Sequence, residues 1–125
     1  MIDHFTELVA YSKSFELAGR IFSISRRWPT EERYSLTSQI RSASRSTGSS
    51  MAEAWGKRCY EAHFVSKLTD ADSENHEVEH WLLTARRDGY LTDGECNELI
   101  VSKRELGRIL GGMIQNPYPF LIRRR

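Results

Sequence analysis

The residues with the most evident capacity for chemistry form the segment HEVEH at positions 76–80, which satisfies the pattern H-E-x-x-H. On a helix, two histidines four positions apart face the same way and can bind Zn²⁺. The glutamate between them can then act as general base on a metal-bound water. Glu98 is available as a third ligand. A zinc-dependent hydrolase that uses His76, Glu77 and His80 is therefore one hypothesis.

The competing interpretation of this segment is a solvated or subunit-facing side of a helix. Three fixed positions in five arise often by chance, and a zinc hydrolase of this type also needs a strand-lined cleft. The sequence has no strand-like alternation, no Gly-rich phosphate loop, no nucleophile elbow and no Cys/His zinc spacing. We therefore expect a non-enzymatic protein with no catalytic residue, no metal site and no cofactor.

Charge placement gives a second kind of candidate site. Residues 33–58 hold five basic residues and one acidic residue, residues 59–98 hold three and ten, and residues 99–125 hold six and one. Arginine, which accounts for 14 of the 18 basic residues, grips phosphate or carboxylate through two parallel hydrogen bonds. The candidate nucleic-acid contacts are Arg41, Arg45, Lys57, Arg58, Arg104, Arg108, Arg123, Arg124 and Arg125.

Two interpretations of these charges stay open. They can form salt bridges between helices or subunits, or they can form a basic face for nucleic acid. The sequence shows no set of stacked aromatic side chains of the kind that single-strand binders use. Sequence-specific readout is therefore not expected, and the partner would be a nucleic acid or a nucleic-acid-processing protein.

The N-terminal half predicts two helices. The first spans residues 5–26 and ends at Trp28-Pro29, because a residue before proline avoids the helical region. Its apolar stripe is Leu8, Tyr11, Phe15, Ala18 and Phe22, flanked by Leu17, Ile21, Ile24 and Trp28. The second helix begins with Thr30 as N-cap and ends near Gly56, with Leu36, Ile40, Ala43, Met51 and Trp55 buried. Its many Ser/Thr residues and Gly48 predict a kink near positions 47–49, while their small size lets a neighbouring helix approach closely.

The C-terminal half predicts two more helices. The third spans about 60–87, ends at Gly89 and buries Phe64, Leu68, Ala71, Asn75, Val78, Leu82 and Ala85. Thr92 and Glu95 match a capping box that opens the fourth helix, which stops before Asn116. These patterns predict an all-α, antiparallel up-down-up-down four-helix bundle, one domain over residues 1–125. The alternative is a pair of helical hairpins whose core is completed only in an oligomer.

Residues 117–125 should form an extended tail, because two prolines forbid continuation of the helix. Its apolar part, residues 118–122, is expected to dock on the bundle or on a neighbouring subunit. Residues 123–125 would then remain as a positive fringe.

Composition predicts self-association. Leu, Ile, Val and Phe together number 28 of 125 residues, which supports only a thin core, and a thin core is easier to sustain when subunits bury surface on each other. The two cysteines lie far apart without a partner motif, which favours a reducing compartment. No apolar run approaches 18 residues, and no signal peptide is evident. A soluble, cytoplasmic protein with no membrane partner is expected.

Several segments resemble one known family. They are FTEL at 5–8, WPTEERYSLTSQIRSAS at 28–44, MAEAWGKR at 51–58, EVE at 77–79 and GYL at 89–91. Together they resemble the four-helix-bundle family of the 23S ribosomal RNA intervening-sequence proteins. The resemblance implies a left-handed bundle that assembles into ring-like homopentamers, with a largely undefined function. Where members commonly carry Ser-Ile-Pro-Ser-Asn, this chain has STGSS at 46–50.

A more distant resemblance is to the accessory protein of diversity-generating retroelements. It rests on the expected fold and on LGRILGG at 106–112. That protein binds nucleic acid and a reverse transcriptase through a basic surface, so the resemblance implies a similar use for the arginine-rich faces of this chain.

Overall fold

Four α-helices make up most of the chain. The structure is a computed structural model that describes residues 2–122. Its helices are α1 (Val9–Ser25), α2 (Leu36–Gly56), α3 (Glu61–Arg87) and α4 (Asp93–Gln115), and residues 2–122 contain no β-strand. Each helix packs against two others, in the order α1–α2–α3–α4 and back to α1, while no Cα atoms of the diagonal pairs come within 8 Å of each other in residues 2–122. This arrangement is the antiparallel four-helix bundle that the sequence predicts.

The buried side of α1 differs from the prediction. Phe15 and Phe22, both expected in the core, are 70% and 38% exposed. The residues that α1 buries are Ala10, Ser14, Leu17, Ile21 and Ser25. Three of these side chains are small, and they allow α1 to lie close to α2. Phe15 and Phe22 each follow a buried residue by one position, and their rings therefore lie outside the core.

Gly48 explains why α2 comes close to α1. A Cβ atom at Gly48 would lie 3.2 Å from the Ser14 hydroxyl and 3.7 Å from the ring of Tyr11. The close approach therefore depends on glycine at this position, and it supplies packing energy that offsets the poor helix propensity of the segment. Residues 47–49, where the sequence predicts a kink or weak point, lie within the continuous helix α2.

The start of α2 also differs from the prediction. Thr30 is not its N-cap, because residues Thr30–Glu32 form one turn of 3-10 helix and α2 begins at Leu36. The Glu32 carboxylate accepts hydrogen bonds from the Ser35 hydroxyl at 2.7 Å and from the Tyr90 hydroxyl at 2.8 Å. The bond to Glu32 is the main reason that the pKa of Tyr90 rises to about 12. The Glu32 carboxylate also accepts from the backbone N–H of Leu36, the first residue of α2, at 3.4 Å, so it takes the capping role that was predicted for Thr30.

The C-terminal helices follow the prediction closely. All seven residues predicted to be buried on α3 are buried. Gly89 ends the helix with a φ of 84°, in the left-handed region that favours glycine. The Thr92 hydroxyl accepts from the backbone N–H of Glu95 at 3.1 Å, and the Glu95 carboxylate accepts from the backbone N–H of Thr92 at 2.9 Å. The predicted capping box is therefore confirmed.

A cluster of polar and charged side chains links α3 to α4. Lys103 is only 5% exposed, and its ammonium lies 3.2 Å from the Glu79 carboxylate, which Arg104 also contacts at 3.0 Å. The buried Asn75 amide donates to the carbonyl of Lys103 at 3.0 Å. A Cβ atom at Gly107 would lie 3.3 Å from that amide nitrogen, so the glycine leaves room for it. These contacts fix the register of the two helices.

The C-terminal segment packs on its own bundle. The ring of Phe120 stacks on that of Phe64 with centroids 6.3 Å apart, and the Ile122 N–H donates to the carbonyl of Arg58 at 3.1 Å. Residues Tyr118–Phe120 form one turn of 3-10 helix, so this part of the tail is less extended than expected. The arginines expected to form a positive fringe, residues 123–125, lie outside the described part of the chain. None of the helices described has the length and apolarity that crossing a membrane requires.

Candidate nucleic-acid interface

Three arginines converge on one phenylalanine where the end of α1 meets α2. The guanidinium carbons of Arg41, Arg45 and Arg26 lie 4.6, 5.7 and 5.8 Å from the centre of the Phe22 ring. Phe22 and Arg26 are one turn apart at the end of α1, and Arg41 and Arg45 are one turn apart on α2. We call Arg26, Arg41 and Arg45 the arginine cluster. Antiparallel packing of α1 on α2 is what brings them together.

The arginine cluster holds positive charge that nothing nearby neutralises. Among residues 2–122, no carboxylate lies within ion-pair distance of any of the three guanidiniums. Arg41 is partly buried, and its Nε–H donates a hydrogen bond to the Ser25 hydroxyl at 2.9 Å. Burial lowers the pKa of Arg41, and repulsion from Arg45 and Arg26 lowers it further. Three like charges held together in this way favour an anionic ligand.

An open apolar groove of roughly 530 Å³ begins beside the arginine cluster and runs between α1 and α2. Phe22 and Arg45 lie at one end of the groove, and Phe15, Tyr11 and Phe5 lie along it. The rings of Tyr11 and Phe15 are 5.9 Å apart at an interplanar angle of 31°. The structure therefore places the exposed ring of Phe15 and the half-buried rings of Tyr11 and Phe5 in one groove with Arg45, which charge and apolar spacing alone do not predict.

The other basic candidates on α2 lie elsewhere. Lys57 and Arg58 follow the end of the helix, about 18 Å along its axis from Arg45. The Arg58 guanidinium covers the Trp55 ring at 3.5 Å and donates to the carbonyl of Trp55 at 2.8 Å. These contacts complete the C-terminal end of the helix, so Arg58 has a structural partner of its own.

The candidates on α4 are separated from the arginine cluster as well. Because α4 lies diagonally across the bundle from α2, Arg104 and Arg108 are not on the α2 surface. Arg104 is held by Glu79 of α3 through two hydrogen bonds of 3.0 and 3.2 Å. Salt bridging, the first of the two interpretations, therefore applies to Arg104, while the arginine cluster fits the second. The chain has no single basic face within residues 2–122 that joins α2 to α4.

Arg26 is the member of the arginine cluster that the sequence analysis did not name. The sequence does contain a signal for it, because Phe22 and Arg26 are four residues apart, as are Arg41 and Arg45. That signal is interpretable only if Phe22 is known to be exposed. Because apolar spacing assigns Phe22 to the buried stripe of α1, the sequence does not predict that Phe22 meets these arginines at the surface.

The H-E-x-x-H segment lies on an exposed side of α3. The Nδ1 atom of His76 is 2.8 Å from the carbonyl oxygen of Asp72, the Glu77 carboxylate accepts from the Trp81 indole at 3.1 Å, and the His80 ring packs edge-on against Trp81. Residues 2–122 contain no group of three or more His, Cys, Asp or Glu side chains placed to share a metal ion. Two histidines without a third ligand give the hydrolase hypothesis no geometric support.

Replacing both His76 and His80 with alanine is expected to change the free energy of unfolding by less than about 0.5 kcal/mol, because both side chains are exposed. Leu82→Ala on the same helix is the matched control. It removes a fully buried side chain and should cost about 2–5 kcal/mol. Urea unfolding measures both changes. One zinc ion per chain in tag-free protein, lost in the double variant, would contradict the interpretation of a solvated face.

Comparison with known proteins agrees with the fold. The family model described as 23S rRNA-intervening sequence protein matches residues 6–112. One similar solved structure is a protein of unknown function from the S23 ribosomal protein family of Bacteroides thetaiotaomicron VPI-5482. It is 26% identical, with a TM-score of 0.76 over 86% of this chain and 100% of that chain. No curated protein matches the chain. On the extent of the family match, the chain belongs to the 23S rRNA-intervening sequence protein family.

Proposed function

We propose that this protein is a non-enzymatic, self-associating helical bundle that binds nucleic acid through the arginine cluster. Arg26, Arg41 and Arg45 are the contacts assigned to phosphate groups. The lone surface residues Lys57 and Arg108 add positive charge at a distance, and Arg104 is assigned to the bundle itself because Glu79 holds it.

The observation that carries the proposal is the convergence of three guanidiniums on Phe22 without a carboxylate partner. Some other arginines in residues 2–122 do meet acids, as Arg27 pairs with Glu95 and Arg87 with Asp88, so the convergence of the three guanidiniums on one ring is what sets the arginine cluster apart. Cation–π contact with one ring orients guanidiniums but does not cancel their charge. A phosphate backbone supplies closely spaced negative charges, and arginine binds each phosphate through two parallel hydrogen bonds.

The test is fluorescence anisotropy with a labelled 20-nucleotide single strand at fixed salt. Arg41→Ala combined with Arg45→Ala should weaken binding by about tenfold or more, because two phosphate contacts to charged donors are removed. Arg86→Ala combined with Arg87→Ala is the matched control, since it removes two arginines from the last turn of α3, outside the arginine cluster. It should weaken binding less than threefold. Equal losses in the two variants would show that only net charge matters and would contradict the proposal.

Self-association is expected to give a particle several times the 14.5 kDa mass of the chain. Val9 and Tyr34 are each more than half exposed, and subunit contact would cover some of this apolar surface. Five subunits is the number that the family resemblance implies. Light scattering on a sizing column measures the mass directly. A single 14.5 kDa species at micromolar concentration would contradict this part of the proposal.

A further inference from the structure

We propose that the groove between α1 and α2 is a base-stacking site, so that the ligand of the arginine cluster is single-stranded nucleic acid and not duplex. This inference rests on the proposed function, and it adds the class of nucleic acid and the atoms that select it. Phosphates contact Arg26, Arg41 and Arg45. An unpaired base lies against the exposed ring of Phe15.

Exposure of Phe15 is the first support. Its side chain is 70% exposed. Tyr11 lies beside it, and Phe5 packs edge-on against Tyr11 with centroids 4.9 Å apart. Every nucleobase has a flat π face that stacks on such rings whatever the base sequence. We call Phe15, Tyr11 and Phe5 the aromatic row, and these rings can stack on unpaired bases of any sequence.

Position is the second support. Phe15 and Phe22 are seven residues apart on α1, which places the exposed ring about 10 Å along the helix from the arginine cluster. The groove connects the two. A short length of flexible strand along α1 can therefore place phosphates at the arginines and a base at Phe15 together. A volume near 530 Å³ lies within the range of pockets that hold small flat ligands.

The polar groups around the groove are the third support. Ser44, Ser49 and Arg45 line it together with the small residues Gly48 and Ala52. The exposed Ser49 hydroxyl donates to the carbonyl of Ser46 at 3.2 Å and can still accept a hydrogen bond from the polar edge of a base, while the small residues leave space for the ring of the base. In a duplex the faces of the bases are covered by their neighbours and only their edges are reachable from the grooves. Duplex can therefore use the arginine cluster but not the aromatic row.

Three fluorescein-labelled probes test the inference with the full chain. They are a 12-nucleotide oligo-thymidine, the same strand with abasic sugars in its central four positions, and a 12-base-pair duplex. Unmodified protein should bind oligo-thymidine about tenfold more tightly than either other probe at equal salt. Phe15→Ala should lose about tenfold for oligo-thymidine alone, because stacking of one base is removed. Phe15→Trp should restore binding.

Val101→Ala is the matched control, because it trims another exposed apolar side chain, on α4, and should leave all three affinities unchanged. Equal affinity of unmodified protein for the three probes would overturn the base-stacking inference while leaving the proposed function intact. No binding of any probe would overturn the proposed function itself. A lower particle mass for Phe15→Ala by light scattering would show that a second copy of the chain covers the groove, which would also overturn the inference.

Discussion

Replacing Phe64 with alanine is expected to lower the free energy of unfolding by about 3–5 kcal/mol. Phe64 is 1% exposed and is the largest of the fully buried side chains. It lies in the first turn of α3, and its ring stacks on the ring of Phe120. The truncation would open a cavity and remove the contact that holds the C-terminal segment. Urea unfolding followed by circular dichroism measures the change.

Phe15→Ala is the matched control for Phe64→Ala, because the same atoms are removed from an exposed site. Its expected cost is below about 1 kcal/mol, as for surface substitutions generally. Similar losses for the two variants would mean that Phe15 is buried in solution, by a subunit or by rearrangement of α1. That result would contradict the description of the groove as open.

Replacing Glu79 with alanine is expected to cost about 2–3 kcal/mol, somewhat less than the loss of one partner from a fully buried pair. Glu79 is the counter-ion of the buried Lys103 ammonium and also binds Arg104. Without it, the buried Lys103 side chain loses its carboxylate partner. Glu105→Ala, which breaks the exposed pair with Lys13, should cost less than about 1 kcal/mol. Equal costs for the two variants in urea unfolding would contradict the role assigned to Glu79.

The Glu79 carboxylate also makes the free energy of unfolding depend on pH. Hydrogen bonding to Arg104, and then to Lys103, holds the pKa of Glu79 below its usual value. A lowered folded-state pKa means that this stabilisation is present above the unfolded-state pKa, near 4.3, and is lost as the pH falls through the lowered value. The unmodified protein should therefore lose stability more steeply than Glu79→Ala as the pH falls below about 4.3.

The sequence predicted best those helices whose buried residues are large and regularly spaced. On α3, seven positions at intervals of three and four are all buried, because a 27-residue helix in contact with two neighbours must bury one continuous stripe. The capping box of α4 was equally predictable, since its hydrogen bonds lie within four consecutive residues. Sequence patterns of this kind predict structure well, because only one local backbone geometry satisfies them.

The candidate site was predictable only in part. Arg41 and Arg45 were named from charge alone, but their union with Arg26 depends on which side of α1 faces α2. That choice was decided by Ser14 and Gly48, whose small size allows a close helix contact. Apolar spacing placed Phe15 and Phe22 on the buried side of α1. The side of α1 that is buried in the structure is rotated about the helix axis from that prediction. Tertiary packing of small residues, and not hydrophobicity, determined the exposed aromatic surface.

The salt dependence of single-strand binding tests the central claim most directly. Each phosphate neutralised on a single strand contributes about 0.7 to the slope of log affinity against log salt concentration. Replacing Arg26, Arg41 and Arg45 together with alanine should therefore reduce that slope by about 2, while the Arg86→Ala, Arg87→Ala control keeps it unchanged. A triple variant with the slope of the unmodified protein would show that the arginine cluster does not contact phosphate, and would contradict the account.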